Sequence, residues 1–323
     1  DGNNVAIDNS LNLKSYTTTQ RDALTSAAGD IIYNSTTNKP QFFNGSDWID
    51  MENPLFSVDF LVIAGGGSGG SGDTAAGGGG GGAGGYRNSY NNETSGGGAS
   101  SETEQTITKG QEVLVTVGAG ATATTGNSQD GTVGNNSIFN TITSLGGGGG
   151  SFANSTTKDG GSGGGGSATA ATPFPGGSGT TGQGYAGGGS DNASPYAVGG
   201  GGGAGSVGGN GSSSGGTSGN GGAQVASSIT GSSVSRAGGG GGASNGTSTG
   251  SDAGQVVNSG NGGTGKGSGA ADAGNSGVVI LRWATSDATL GATRTGLTDG
   301  GVQTDGSDSY IVFTAGSGNI TFS

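Results

Sequence analysis

The chain has 323 residues, of which 83 are Gly and none is Cys or His; ten Lys and Arg against 22 Asp and Glu give a net charge of −12. Without Cys or His there is no disulfide framework, no thiolate or imidazole metal site, no Cys nucleophile and no Ser-His-Asp chemistry. An acidic chain with no basic run repels phosphate backbones, so nucleic-acid binding is not expected. The best apolar run, Val58–Ala64, has strand length rather than the length of a membrane span, so membrane insertion is not expected either. Collagen is excluded because Gly does not recur at every third position and there are only five Pro.

The chain opens at Asp1 without Met or a signal-peptide pattern, which reads as a fragment or a processed form. Gly is sparse in residues 1–54. Tyr16–Ser26 (YTTTQRDALTS) reads as a short helix with a Thr N-cap. Ile31–Tyr33, Gln41–Phe43 and Trp48–Met51 are three short apolar groups separated by turn formers, which predicts a three-stranded meander. Asn44-Gly45 marks one hairpin, since both residues tolerate positive φ. So few large apolar groups make a marginal unit alone, so oligomerisation or packing on a neighbour is expected.

Residues 55–283 form the glycine-rich body. Val58–Ala64 opens it and Gly277–Trp283 closes it; Glu112–Val117 and Ser137–Phe139 with Ile142 are the further strands. Runs such as Gly65–Gly67, Gly77–Gly82, Gly146–Gly150, Gly163–Gly166, Gly199–Gly203 and Gly238–Gly242 fill the rest. Composition alone reads as a flexible Gly/Ser linker. Three features point instead to order: strands at both ends, runs of similar length, and inserts carrying Tyr86, Tyr90, Phe152, Phe174, Tyr185 and Tyr196. The ordered reading is a bundle of polyproline-II-like glycine helices, with three residues per turn, held by backbone contacts where side chains would otherwise form a core. The expected fold is therefore all-β with a glycine-rich polyproline-II bundle, a β-framed sandwich with little α-helix. Residues 284–323 are expected as a separate C-terminal β-hairpin segment, with Tyr310–Phe322 as the hairpin.

An ordered series of motifs runs through this frame. Val58–Gly67 (VDFLVIAGGG) leads to Gly79–Arg87 (GGGGAGGYR). Val115–Gly120 (VTVGAG), Asn136–Phe139 with Ile142-Thr143, and Gly146–Gly150 follow; Gly274 and Ser276–Trp283 (SGVVILRW) close the series. The series resembles the glycine-rich domain of bacteriophage tail-fibre and adhesin proteins. Tyr16–Met51 looks like a short module found beside such domains, and Tyr310–Phe322 like a hairpin common in the same proteins. The resemblance implies layered glycine helices whose variable connecting loops touch the bacterial surface. It also implies a virion location outside the cell, other tail or fibre proteins as partners, and by analogy a homotrimer. This sequence departs from the tip adhesins of long tail fibres in carrying its own N-terminal module and strands at the frame.

Receptor contact is expected at loop tips, because glycine helices are nearly featureless. The richest inserts are Tyr86–Asn92, Ala171–Pro175 with Gly184–Ala186, and Ser190–Val198. Tyr90, Phe174, Tyr185 and Tyr196 are the candidate contact residues, since aromatic rings give rigid area and their Asn, Ser and Asp neighbours give hydrogen bonds. The alternative is that such rings plug the ends of the glycine layers; Tyr86 and Arg87 belong there, being part of the motif itself. Pro173, Pro175 and Pro195 stiffen the loops in either role. Gly260–Gly267 (GNGGTGKG) approaches a phosphate loop, but Gly267 stands where Ser or Thr must hold magnesium. Gly66–Gly70 matches a nucleophile-elbow string with no His to activate its Ser. The carboxylates of Glu102 and Glu104 read as solvated surface rather than a glycosidase pair. No cofactor and no metal site is expected, with single calcium ions on loops such as those of Asp47 or Asp299 left open. The expectation is a non-enzymatic tail-fibre protein or adhesin that recognises a glycan or outer-membrane protein. The alternatives are a structural spacer or virion decoration protein, and a polysaccharide depolymerase; an ice-binding glycine-helix protein is disfavoured by the long irregular inserts.

Overall fold

The computed structural model describes residues 12–51, 55–73, 76–153, 155, 158–168, 173–191, 196–215, 217–244, 250–251 and 257–323. The chain divides into two compact units between Leu55 and Phe56. Among the described residues the fold is mostly β, with one five-residue α-helix.

The first unit contains β1 (Ser15–Tyr16), α1 (Thr18–Asp22), β2 (Ile31–Asn34), β3 (Lys39–Phe43) and β4 (Trp48–Asp50). Thr17 caps α1: its hydroxyl accepts from the Gln20 N–H at 3.3 Å while the Gln20 side chain accepts from the Thr17 N–H at 2.9 Å. The four strands pair in chain order, β1 parallel to β2 and the rest antiparallel. Asn44 builds the β3–β4 turn by accepting from the N–H groups of Ser46 and Asp47, each at 2.8 Å, and Gly45 supplies a φ of +102°. The interior is polar. Buried Asn34 donates to Gln41 Oε1, which also accepts from Arg21 Nη1 at 3.0 Å. Ile32 is the only large apolar side chain that is buried among residues 12–51.

The second unit begins with β5 (Leu55–Ile63), followed by β6 (Tyr86–Asn88), β7 (Gln105–Thr108), β8 (Glu112–Val117), β9 (Ser137–Phe139) and β10 (Ile142–Ser144). Then come β11 (Val225–Ser227), β12 (Val234–Arg236), β13 (Val278–Ala284), β14 (Leu297–Asp299), β15 (Gln303–Asp305) and β16 (Asp308–Thr321). One sheet runs β10-β9-β8-β16-β13-β5-β6, with β14 and β15 on β16 and β7 on β5; β11 and β12 form a separate pair. Strand alternation gives this sheet two buried faces. Phe56, Val58, Phe60 and Val62 of β5 join Val113 and Val115 of β8, Val279, Leu281 and Trp283 of β13, and Ile311 and Phe313 of β16 in one apolar cluster. A sheet whose strands share one enclosed cluster must curl around it, and the result is nearly closed and barrel-like. The opposite face presents Leu61, Ile63, Val278 and Ile280 to Tyr86, Ile229, Ala204 and Ala237, beneath the glycine body.

The C-terminal expectation needs correction. Tyr310–Phe322 is not a hairpin: β16 is one 14-residue strand, pairing with β13 through Asp308–Phe313 and with β8 through Gly316–Thr321. Gly316, at φ +94°, lies where β16 passes from one partner to the other, and it pairs with both Leu297 and Val117. Residues 284–323 are therefore woven into the second unit rather than set apart from it.

The glycine body is held by backbone hydrogen bonds with a three-residue period. Along residues 65–72, Gly65, Ser68 and Ser71 donate to Asn135, Thr132 and Gln129; Gly66 and Gly69 donate to Asn275 and Asp272; Gly67 and Gly70 donate to Gly82 and Gly79. Each third residue thus returns to the same neighbouring segment. Residues 77–85 have six neighbours. They donate to segments containing Leu145–Ser151, Gly199–Gly202 and Gly260–Gly263, accept from segments containing Gly67–Gly70 and Ser162–Gly165, and exchange bonds both ways with Gly240–Ala243. Glycine is required there by space: a Cβ on Gly80 would stand 1.9 Å from the Gly240 oxygen, and one on Gly81 2.2 Å from the Gly67 oxygen.

Candidate functional site

The glycine segments shuttle between the sheet and a far end. Ser71 meets Gln129 and Lys266 at that far end, and Gly78 meets Phe152 and Ala243. Nearer the sheet, Ala83 donates to Gly202, Gly84 to Gly260, and Tyr86 of β6 to Gln183. This register separates the four candidate aromatics. Phe174 and Tyr196 belong to the far end; Tyr90 and Tyr185 lie at the sheet end.

At the sheet end both rings serve packing. Half-buried Tyr90 packs against the second apolar cluster, and the Arg282 guanidinium sits 5.1 Å from its ring centroid. Arg282 is itself held by Asp308 and Asp305, each at 2.9 Å, and donates to the Ile229 carbonyl. Tyr185 is tied through its backbone to Gly203 and Gly163, and its hydroxyl covers Gly98, where an added Cβ would stand 2.6 Å from it. Tyr86 is fully buried, and that burial raises its phenol well above the ordinary range. Arg87 forms a two-pronged ion pair with Glu102, and Glu104 accepts from the Ser57 hydroxyl at 2.7 Å, so the acidic pair of the sequence is engaged with protein partners. Asp299 is likewise paired with Arg294 at 2.9 Å.

The far end brings side chains together. The Phe174 N–H donates to Ser190 Oγ at 2.9 Å, and its carbonyl accepts from the Ser190 N–H at 2.8 Å. Asp191 next to it accepts from both the N–H and the hydroxyl of Ser213. Asn210 Oδ1 accepts from the Gly189 N–H at 2.8 Å. The Ser244 hydroxyl donates to the Tyr196 carbonyl at 2.9 Å and meets Ser218 at 3.0 Å. Short polar side chains thus tie these stretches together at their tips. An open cleft of about 390 Å³ is lined by Phe174 with Pro173, Pro175, Ser190, Asp191 and Asn210. Tyr196 does not line it. Residues 169–172 and 192–195, part of the inserts singled out in the sequence, lie outside the described residues.

The cleft offers an aromatic face, two stiff proline walls, an amide and a carboxylate. Chemically, such a set suits a polar uncharged ligand, by ring contact and hydrogen bonding. Asp191 lies in the Ser190–Val198 insert singled out from the sequence, though it was not named there, and Asn210 was not identified. Asn210 stands alone between two glycines, and its only signal was an amide interrupting a glycine segment. Among the described residues no group of His, Cys, Asp and Glu could hold a metal ion, and no helix is long and apolar enough to cross a membrane.

A family described as glycine-rich domain matches residues 47–284. The chain belongs to that glycine-rich domain family. The match spans the body and most of its β frame, from just before β4 to the end of β13. No curated protein matches the chain at significant similarity.

Proposed function

We propose that this glycine-rich domain protein is a non-enzymatic adhesin of a bacteriophage tail fibre, displaying loops on a rigid glycine scaffold to recognise the bacterial surface. The observation that carries the reading is the far-end cleft, where Phe174, Asp191 and Asn210 from separate segments converge beyond a body that is almost free of side chains. The three-residue bonding period and the six neighbours of residues 77–85 support a bundle of polyproline-II helices, a conformation with three residues per turn and no internal hydrogen bonds. None of the glycines in 77–85 or 199–203 takes a positive φ, as that conformation requires. Such a bundle fixes its tips without constraining their sequence.

The ligand fitting the cleft best is a surface glycan: a ring stacks on Phe174 while hydroxyls meet Asp191 and Asn210. Several copies in a trimeric fibre multiply a weak site into firm attachment. The test is binding of the purified chain to candidate host cells. Phe174→Ala is expected to abolish saturable binding with unchanged circular dichroism, whereas Tyr90→Phe retains it. Undiminished binding by Phe174→Ala removes the cleft from the reading, and no binding by a folded, assembled wild type makes the chain a structural spacer.

A further inference from the structure

The first unit contains a second cleft, of about 510 Å³, between α1 and the β3–β4 hairpin. We propose that it binds an uncharged pyranose sugar, independently of the Phe174 cleft. Its apolar wall is made of Trp48 and Phe43, whose ring centroids lie 5.4 Å apart at 50°. Both rings are half-buried, although among the described residues of this unit only Ile32 is a buried large apolar side chain. A unit so short of core has strong reason to bury Trp48, its largest side chain, and the Phe43 ring packed against it. They line an open cleft instead, beside Leu24.

The polar wall fixes the ligand's charge. Arg21 is the only cation lining the cleft, and it is consumed: Nε and Nη2 donate to Asp22 and Nη1 donates to Gln41. The exposed Asp47 carboxylate has no partner among the described residues, and its N–H is already spent on Asn44. The cleft therefore presents a flat aromatic face and a free carboxylate acceptor, with no cation to receive an anion. A pyranose matches both: its C–H face lies on Trp48, and two adjacent hydroxyls donate to Asp47. An acidic sugar meets the uncompensated Asp47 carboxylate and is rejected.

Trp48 reports on this cleft directly, because the other tryptophan, Trp283, is 3% exposed in the sheet core. The experiment titrates the full chain carrying Trp283→Phe with glucose, galactose, mannose and N-acetylglucosamine, alongside glucuronate, following Trp48 fluorescence. A saturable change with at least one neutral sugar and none with glucuronate is expected. Asp47→Ala should weaken binding about tenfold or more with unchanged circular dichroism. Phe174→Ala should leave the titration unchanged, so failure of this site and failure of the far-end site are read separately. The proposal is overturned if no neutral sugar gives saturation, if glucuronate binds as well, or if Asp47→Ala binds like the parent. Should Trp283→Phe fail to fold, equilibrium dialysis of the same sugars against the unmodified chain and its Asp47→Ala variant decides the matter on the same terms.

Discussion

Replacing Gly80 by Ala tests whether the glycine body is held by backbone contact. The new Cβ would stand 1.9 Å from the Gly240 oxygen and 2.8 Å from the Gly201 nitrogen, and both are backbone atoms that cannot rotate away. Ordinary contact begins at 3.4 Å, so the segments around Gly80 and Gly240 must part by about 1.5 Å. Across that gap run Gly240 N–H to Gly81 O at 2.9 Å, Gly78 N–H to Ala243 O at 2.9 Å and Ala243 N–H to Gly78 O at 3.0 Å. Stretched by that amount, none remains a hydrogen bond. Two or three bonds at about 1 kcal/mol each, with overpacking of about 1–3 kcal/mol, outweigh the roughly 0.4–1 kcal/mol gained from stiffening the unfolded chain. The net expectation is a loss of about 2–5 kcal/mol. Gly126 is the control: an added Cβ meets nothing within 4 Å and its φ is not positive, so Gly126→Ala is expected to be neutral or slightly stabilising. Chemical denaturation followed by Trp283 fluorescence, in a Trp48→Phe background, measures both. Equal midpoints for Gly80→Ala and Gly126→Ala would refute the argument, because a flexible linker treats the two positions alike.

Arg282→Ala leaves Asp305 and Asp308 facing each other beside the Tyr90 ring. These carboxylates are 45% and 31% exposed, so the expected cost is about 2–3 kcal/mol in a denaturation midpoint, short of a fully buried pair. Arg282→Lys should recover little, since one ammonium does not reach both carboxylates and the Ile229 carbonyl. Acid sensitivity has two opposed parts. The Arg294 side chain holds Asp299 below the usual carboxylate range, against the opposing effect of burial and with added help from the Gly301 N–H. That pair stabilises the fold above the unfolded value near 3.9, and the contribution is lost as pH falls through the depressed folded value. Asp299→Asn is expected to lower stability at neutral pH and to flatten its acid dependence. Burial pushes Asp59 the other way, above its ordinary value, so its charge costs stability at neutral pH and the cost disappears as pH falls. Asp59→Asn, which retains an acceptor for the Ser89 hydroxyl, should raise the neutral-pH midpoint.

The frame was readable because apolar runs such as Val58–Ala64 and Gly277–Trp283 have no alternative use in so polar a chain. β7, with the sequence QTIT, carries a single large apolar residue, Ile107, and gave no comparable signal. Ala315–Gly318 has the composition of a turn, yet the chain continues there as strand, because Gly316 bends β16 between two partners that are distant in sequence. The same limit applies to the candidate site. Phe174 was visible as an aromatic between prolines, but its neighbours Asp191 and Asn210 are fixed by the register of glycine segments. Tyr90 looked like a loop residue until β13 placed Arg282 against its ring.

Register is the harder question for a body of this kind, since any glycine carbonyl can accept from any glycine N–H. The structure answers it with sparse polar side chains buried among the glycines. Ser167 donates to the Gly77 carbonyl at 2.6 Å, Ser151 to the Gly165 carbonyl at 3.0 Å, and Asn261 accepts from the Gly238 N–H at 2.8 Å. Where the body meets the sheet, Ser137 and Ser144 donate to the carbonyls of Ile63 and Val62, each at 2.8 Å. A slip of one residue would leave each of these buried groups without its partner, at roughly 1–3 kcal/mol apiece. Only a slip of three residues restores the backbone bonding pattern, and it too moves each of these side chains away from its present partner. The glycines therefore supply the packing, and the few serines and asparagines choose one packing among many.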